Sequence, residues 1–213
     1  MENNKLIAGH LLKINAVVLS PEEPFTWASG IKSPVYCDNR LILAYPDVRK
    51  DVIAAFVNLI QTHYADADVI AGTATAGIPH AALIAEAMGL PMAYIRSSAK
   101  SHGRKKQIEG IINPGQKVVV IDDLISTGGS VLTAVHAVEE IGAEVLGVAA
   151  IFTYQLPKAD TNFAKAKIAL ETLTDFETLI HLAVENGTIS GTQLEQLKKW
   201  YADPTSEDWQ VQK

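Results

Sequence analysis

A chain of 213 residues, 48% hydrophobic and 20% charged, is long enough for one domain with a substantial core and too apolar to be disordered. Its formal charge of −6 argues against broad binding to a nucleic-acid backbone, so any anion site must be local. The single cysteine, Cys37, excludes an internal disulfide and a Cys-rich zinc site and fits a reducing compartment.

The chain opens with Leu6, Ile7, His10, Leu11 and Ile14 at helical spacing. Asn3, Asn4, Lys13 and Asn15 interrupt them, which predicts an amphipathic helix and not the apolar core of a signal peptide. No stretch approaches the roughly 18 uninterrupted apolar residues of a membrane helix, so a soluble, cytoplasmic protein is expected. From Val17 to Arg40 apolar and polar residues alternate between Pro and Gly, predicting short strands joined by tight turns. Residues 1–45 are accordingly expected to form a small N-terminal cap, and residues 46–213 a core with C-terminal helices.

In that core, Val52, Ile53, Phe56, Val57 and Ile60 predict a helix, followed by a short buried strand at 68–72. A helix over 78–88, a strand over 91–96, a long polar loop, a strand over 117–122, a helix over 130–141 and a strand over 144–152 complete the alternation. The expected fold class is α/β, a parallel sheet with helices on both faces, and ligands in such sheets bind at the carboxyl ends of the strands. The tail predicts a strand near 168–170, a helix over 176–185 capped by Asp175, and a last helix that follows Ser190 and ends before 202–204.

One stretch combines two opposed chemistries. In "VVVIDDLISTGGS", Val118 to Ser130, an apolar strand runs into Asp122 and Asp123, then into Ser126, Thr127, Gly128, Gly129 and Ser130 at a helix start. Ionised carboxylates only accept hydrogen bonds, which suits the vicinal hydroxyls of a ribose. Glycine-rich backbone at a helix N-terminus offers free amides to a phosphate. The alternative is an Asp pair that caps a turn whose geometry needs glycine. The apolar residues before the pair and the STGGS after it favour ribose-phosphate binding.

Competing phosphate motifs fail. "GTATAGIP" from Gly72 has two glycines at Walker spacing but no Lys-Ser/Thr, and no Gly-x-Gly-x-x-Gly follows a strand. The small residues Thr73, Ala74, Thr75, Ala76 and Gly77 form either an ordinary strand-to-helix turn or a second place where backbone meets ligand. "RSSAKSHGRKKQIEG", from Arg96 to Gly110, is basic and without apolar rhythm, and reads as a solvated charge run or as a functional lid that a diphosphate would order. His10, His63, His80, His136 and His181 are expected to pack or lie on the surface. Trp200, Tyr201 and Trp209 are expected to pack or meet a partner subunit.

Together these stretches resemble the type I phosphoribosyltransferase family, in its orotate-using branch. "VVVIDDLISTGGS" resembles the family's motif for 5-phosphoribosyl 1-diphosphate (PRPP), "FTWASGIKSPVYCDNR" an N-terminal orotate-binding segment, and "RSSAKSHG" a mobile catalytic loop. "ATAGIPHAALIAEAMGLPMAYIR" resembles the pyrophosphate-loop region, and the likeness spans roughly residues 20 to 155.

The resemblance implies a pentosyl-class glycosyltransferase that moves the phosphoribosyl group of PRPP to orotate in pyrimidine biosynthesis. Asp122 and Asp123 would meet the ribose hydroxyls. Leu124, Ile125, Ser126, Thr127, Gly128, Gly129 and Ser130 would hold the 5′-phosphate, and Arg96, Lys100 and His102 the diphosphate. Catalytic roles fall to Lys100, Asp122 and Asp123, and orotate contacts to Ser126 and Lys32. Mg²⁺ would be held mainly through PRPP with no dedicated protein cage. A homodimer with the basic loop acting in trans is implied, with no nucleic-acid or membrane partner. The chain departs from family lysines at Ala28, Ala76 and Ser97, and from a family arginine near Tyr154 or Gln155. Rival readings are a phosphoribosyltransferase for a purine or for uracil, a PRPP-sensing regulator, and a PRPP synthetase-like protein. "WASGIKSPVYCDNR" counts against the first, the charge of −6 against the second, and the length and the single sugar-phosphate loop against the third.

Overall fold

The computed structural model describes residues 2–26, 30–97 and 107–210. In chain order the elements are α1 (Glu2–Lys13), β1 (Val17–Leu19), β2 (Phe25–Thr26), β3 (Lys32–Ser33), β4 (Val35–Cys37), a 3-10 segment (Asn39–Ala44), α2 (Pro46–His63), β5 (Val69–Thr73), α3 (Gly77–Met88) and β6 (Met92–Ile95). They continue with β7 (Ile108–Glu109), β8 (Lys117–Ile125), α4 (Gly129–Glu139), β9 (Glu144–Thr153), α5 (Pro157–Ala166), β10 (Leu170–Asp175), α6 (Phe176–Glu185) and α7 (Gly191–Ala202). Among the described residues no helix is long and apolar enough to cross a membrane.

The central sheet has the order β10-β9-β8-β5-β6-β7, with β9, β8, β5 and β6 mutually parallel and β7 antiparallel on β6. β8 lies inside it, with Val118 opposite Val69 on one side and opposite Val145 on the other. Val118, Val119, Val120 and Ile121 are all fully buried. A strand covered on both faces reads as an unbroken apolar run, which is why the sequence shows no alternation there.

Successive side chains leave a strand on opposite faces, and the two faces meet different helices. Val69, Ala71, Val118 and Val120 join a core with Val131, Val135 and Phe163 of α4 and α5. On the other face Gly72 lies under Ala81 of α3, where an added Cβ would come within 2.8 Å of the alanine methyl. The fold class is therefore the expected α/β parallel sheet with helices on both faces.

Several elements differ from the sequence expectation: β10 covers Leu170–Asp175 where a strand near 168–170 was expected, and β7 and the 3-10 segment were not foreseen. β8 does not stop at Asp122 but runs on to Ile125, because Leu124 and Ile125 pair with Phe152 and Thr153 of β9. Helix α5 was not expected. Its Pro157 reads as a breaker, although proline also suits the first turn of a helix, and only Ala159 and Phe163 are buried along it.

The chain forms two compact units, Asp47–Leu173 and a second made of Met1–Pro46 with Thr174–Lys213. The C-terminal helices thus group with the N-terminal segment and not with the sheet. Within that unit Lys5 pairs with Glu185 at 3.0 Å and Asn4 Nδ2 donates to Asp175 Oδ2 at 3.2 Å. Asp175 caps α6 by accepting from the Thr178 N–H at 2.8 Å, and Ser190 with Gln193 closes a capping box on α7. Trp200 is fully buried, edge-on to Phe176 at 5.6 Å.

His80 of α3 is fully buried, and neither ring nitrogen has a hydrogen-bond partner among the described residues. Burial pushes its pKa down from 6.5 to about 4. The folded chain then binds fewer protons than the unfolded one between those values, so stability present above pH 6.5 is lost as the pH falls toward 4. Denaturant unfolding should show His80→Leu losing about 2 kcal/mol less stability than wild type between pH 7 and pH 5. Equal losses would mean the imidazole is solvated or paired.

Candidate active site

The site is built where β5, β6 and β8 end. Asp122 stands opposite Ala150 of β9 and is only 8% exposed. Its Oδ1 accepts the Asp123 N–H at 2.9 Å, and the Thr73 hydroxyl at the end of β5 donates to the neighbouring Ile121 carbonyl at 3.2 Å. Burial, and then the Asp123 carboxylate beside it, pushes Asp122 up to about 7, against a smaller opposing effect of the Thr73 hydroxyl and the Asp123 N–H. Near neutral pH this acid is poised between its donor and acceptor forms.

After Ile125 the chain leaves the sheet, and Gly128 adopts φ +76° as the cap of α4. A Cβ at Gly128 would meet Phe163 Cε2 at 2.6 Å, so both the backbone twist and the space require glycine. Asn162 Nδ2 donates to the Thr127 carbonyl at 2.8 Å. The backbone N–H groups of Ser126, Thr127, Gly128 and Gly129 find no acceptor among the described residues. Free amides at the start of α4 are a ready anion site.

The stretch after β5 is more than an ordinary turn. α3 begins so close to β8 that a Cβ on Gly77 would lie 2.5 Å from the Ile121 carbonyl oxygen. Ala74 N donates to Ile95 O at 2.8 Å, and the Ala74–Thr75 peptide is cis. This closeness makes Thr73, Ala74, Thr75 and Ala76 line one cavity of about 260 Å³ with Asp122, Asp123, Leu124 and Ser130. Arg96 and Ser97, at the end of β6, complete it. The base of the basic loop is pinned by two bonds, Arg96 N to Gln107 O at 2.9 Å and Gln107 Nε2 to Arg96 O at 2.7 Å. The Arg96 guanidinium also lies 3.7 Å from Glu109.

Of the residues singled out from the sequence, Arg96, Asp122, Asp123, Leu124 and Ser130 meet at this cavity, and Ser126, Thr127, Gly128 and Gly129 follow on the adjoining loop. The Ile125 side chain is 1% exposed and packs in the core with Val131 and Phe163, so only its backbone belongs to the strand end. Lys100, His102 and Ala28 lie outside the described residues. Lys32 is on β3, in the unit that holds the N-terminal segment, and its ammonium donates to Thr26 Oγ1 at 2.7 Å. Tyr154 is buried edge-on to Phe152 at 5.3 Å, while Gln155 takes φ +54° and its N–H donates to Thr153 Oγ1 at 3.0 Å. Sequence reading missed Asn162 and Phe163. The one available signal was Pro157 as a helix start with Asp160 in its first turn. Among the described residues no group of three or more His, Cys, Asp or Glu could hold a metal ion. The Asp122 and Asp123 oxygens are nevertheless hard donors of the kind magnesium accepts, directly or through water.

The family model described as a phosphoribosyl transferase domain matches residues 40–178. The chain is 59% identical over 203 residues to the orotate phosphoribosyltransferase of Bacillus pumilus (strain SAFR-032), covering 95% of this chain and 96% of that one. Among solved structures, the orotate phosphoribosyltransferase of Aeropyrum pernix superposes with a TM-score of 0.75 at 26% identity, over 86% of this chain and 99% of that chain. That of Mycobacterium tuberculosis H37Rv in complex with PRPP gives 0.64 at 26% identity, over 83% and 98%. The chain belongs to the phosphoribosyltransferase family and, within it, to the orotate phosphoribosyltransferases.

The raised pKa of Asp122 makes stability depend on pH. The folded chain holds this proton from about pH 4 up to about pH 7 while the unfolded chain has released it, so stability falls as the pH rises through that window. Asp122→Asn, which keeps an acceptor for the Asp123 N–H, should raise stability at pH 8 by about 2 to 4 kcal/mol and leave it unchanged near pH 4. A variant no more stable than wild type at pH 8 would show that the carboxylate is not penalised by burial.

Proposed function

We propose that this protein transfers the 5-phosphoribosyl group of PRPP to orotate, releasing diphosphate and orotidine 5′-monophosphate in pyrimidine biosynthesis. The observation that carries the reading is the meeting, at the ends of neighbouring strands of one sheet, of a carboxylate pair, a loop of free amides and Arg96, in a chain 59% identical to an orotate phosphoribosyltransferase. A ligand with vicinal hydroxyls, a phosphate monoester and a second anionic group matches those three features.

In the reaction the bond from orotate N1 to C1′ forms as the bond from C1′ to the diphosphate oxygen breaks, with positive charge developing on the ribose and the N1 proton passing to the departing diphosphate or to water. Asp122 and Asp123 accept from the 2′ and 3′ hydroxyls, orient the sugar and favour that charge. The amides from Ser126 to Ser130 hold the 5′-phosphate, which fixes the far end of the same sugar. Arg96, Lys100 and His102 balance the charge that gathers on the leaving diphosphate. Magnesium, when bound with PRPP, supplies further charge neutralisation at the diphosphate, with Asp122 and Asp123 as the protein oxygens available to it. The family resemblance supports a homodimer in which the basic loop of one subunit serves the other's site, and the lone Cys37 fits a cytoplasmic location. Closure of such a loop excludes the water that would hydrolyse PRPP.

The direct test follows orotate absorbance after adding PRPP and Mg²⁺, with uracil, adenine, hypoxanthine and guanine assayed in parallel by product chromatography. Orotate should be consumed only when both PRPP and Mg²⁺ are present. Turnover of another base instead would reassign the acceptor, and PRPP binding without any turnover would make the protein a sensor. Lys100→Ala should lower the turnover number by about 10²-fold or more while changing PRPP affinity far less. An unchanged turnover number would remove Lys100 from the chemistry.

A further inference from the structure

We infer that Asn162, on the unforeseen helix α5, is a positioning residue for the phosphate loop: by holding the Thr127 carbonyl it aims the Gly128 N–H at the anion. The inference rests on the proposed binding of the 5′-phosphate at Ser126 to Ser130 and deepens it.

The geometry runs through one peptide plane. Asn162 Nδ2 donates to Thr127 O at 2.8 Å. The Thr127–Gly128 peptide is trans, so its carbonyl and its N–H point in opposite directions across a rigid plane. With the carbonyl fixed toward α5, the Gly128 N–H is fixed away from it, and that N–H has no acceptor among the described residues. Phe163, the next residue of α5, covers Gly128 from the same side at a distance that would leave 2.6 Å to an added Cβ. α5 therefore presses on the loop with a ring and holds it with an amide.

Without this bond the plane is free to rotate. Glycine at φ +76° has wide backbone freedom, so Gly128 itself cannot hold the orientation. A carbonyl turned inward would present its oxygen to a phosphate. Asn162 works at a distance from the bond-making atoms, and its loss should be felt in binding of the phosphate end and not in the chemical step.

The test compares wild type, Asn162→Ala, the nearly isosteric Asn162→Asp, and Thr161→Ala as a control. Thr161 donates its hydroxyl to Pro157 O within the same helix and makes no bond to the loop. Affinities for ribose 5-phosphate and for inorganic diphosphate are measured by calorimetry, alongside kcat and the two KM values. Asn162→Ala should weaken ribose 5-phosphate and raise the KM for PRPP about 3- to 10-fold, the worth of one hydrogen bond that orients a charged contact. Asn162→Asp, which turns a carboxylate toward a carbonyl, should weaken both at least as much. For both variants, diphosphate affinity, the KM for orotate and kcat at saturation should stay within about twofold of wild type. Thr161→Ala should leave ribose 5-phosphate binding unchanged. Unchanged ribose 5-phosphate affinity in both Asn162 variants, or an equal loss for diphosphate, would overturn the inference. Wild type that binds ribose 5-phosphate but never consumes orotate would overturn the proposed reaction and leave the role of Asn162 standing.

Discussion

The pairing of β8 with β9 past Asp122, through Leu124 opposite Phe152 and Ile125 opposite Thr153, is the contact on which the site depends. It holds Asp122 to Ile125 as strand, so Asp122 and Asp123 project from regular backbone and not from a turn. It also sets where the chain can leave the sheet. Tyr154 N extends the pairing by donating to Ile125 O at 3.0 Å, and only at Ser126 is the backbone released to form the amide loop. From Asp123 to Ser126 is three strand steps, roughly 10 Å at about 3.3 Å per residue. Hydroxyl-binding and phosphate-binding ends are thereby parted, and a single sugar phosphate can engage both.

That separation answers an electrostatic problem. Two adjacent carboxylates repel a phosphate, and they also repel each other. Burial relieves the second difficulty, since Asp122 is driven up to about 7 and so carries less than full charge near neutral pH. The first is met by distance and by the start of α4, whose free amides and helix dipole create a local positive end in a chain of net charge −6. Arg96, at the end of β6, adds a cation to the lining of the same cavity. No general positive field is needed, which is why overall charge says so little about the site.

Much of this was legible in the sequence because it is carried by local pattern. The unbroken run from Val118 to Ile121 marks a strand buried on both faces, and Asp175 and Ser190 mark helix starts by their capping side chains. The Asp-Asp and Ser-Thr-Gly-Gly-Ser elements carry their chemistry in residue type alone. What was hidden is what depends on contacts distant in the chain. Nothing local tells that Leu124 and Ile125 will pair with β9, or that Asn162 will reach Thr127, 35 positions away. α5 buries little, so its apolar rhythm is faint. Nor does anything local tell that α6 will group with α1, where Ile7, Leu11, Leu179 and Ile180 are buried and Lys5 meets Glu185 across 180 positions, so the division of the chain into units was hidden too.

The central physical claim is that the backbone from Ser126 to Ser130 receives the 5′-phosphate of a phosphoribosyl ligand. Hydrogen exchange read at those five amides, with and without ligand, tests it most directly. The account predicts that ribose 5-phosphate and PRPP both slow exchange at these amides, while inorganic diphosphate alone leaves them unchanged. Protection by diphosphate alone, or no protection there by ribose 5-phosphate at saturating concentration, would contradict it.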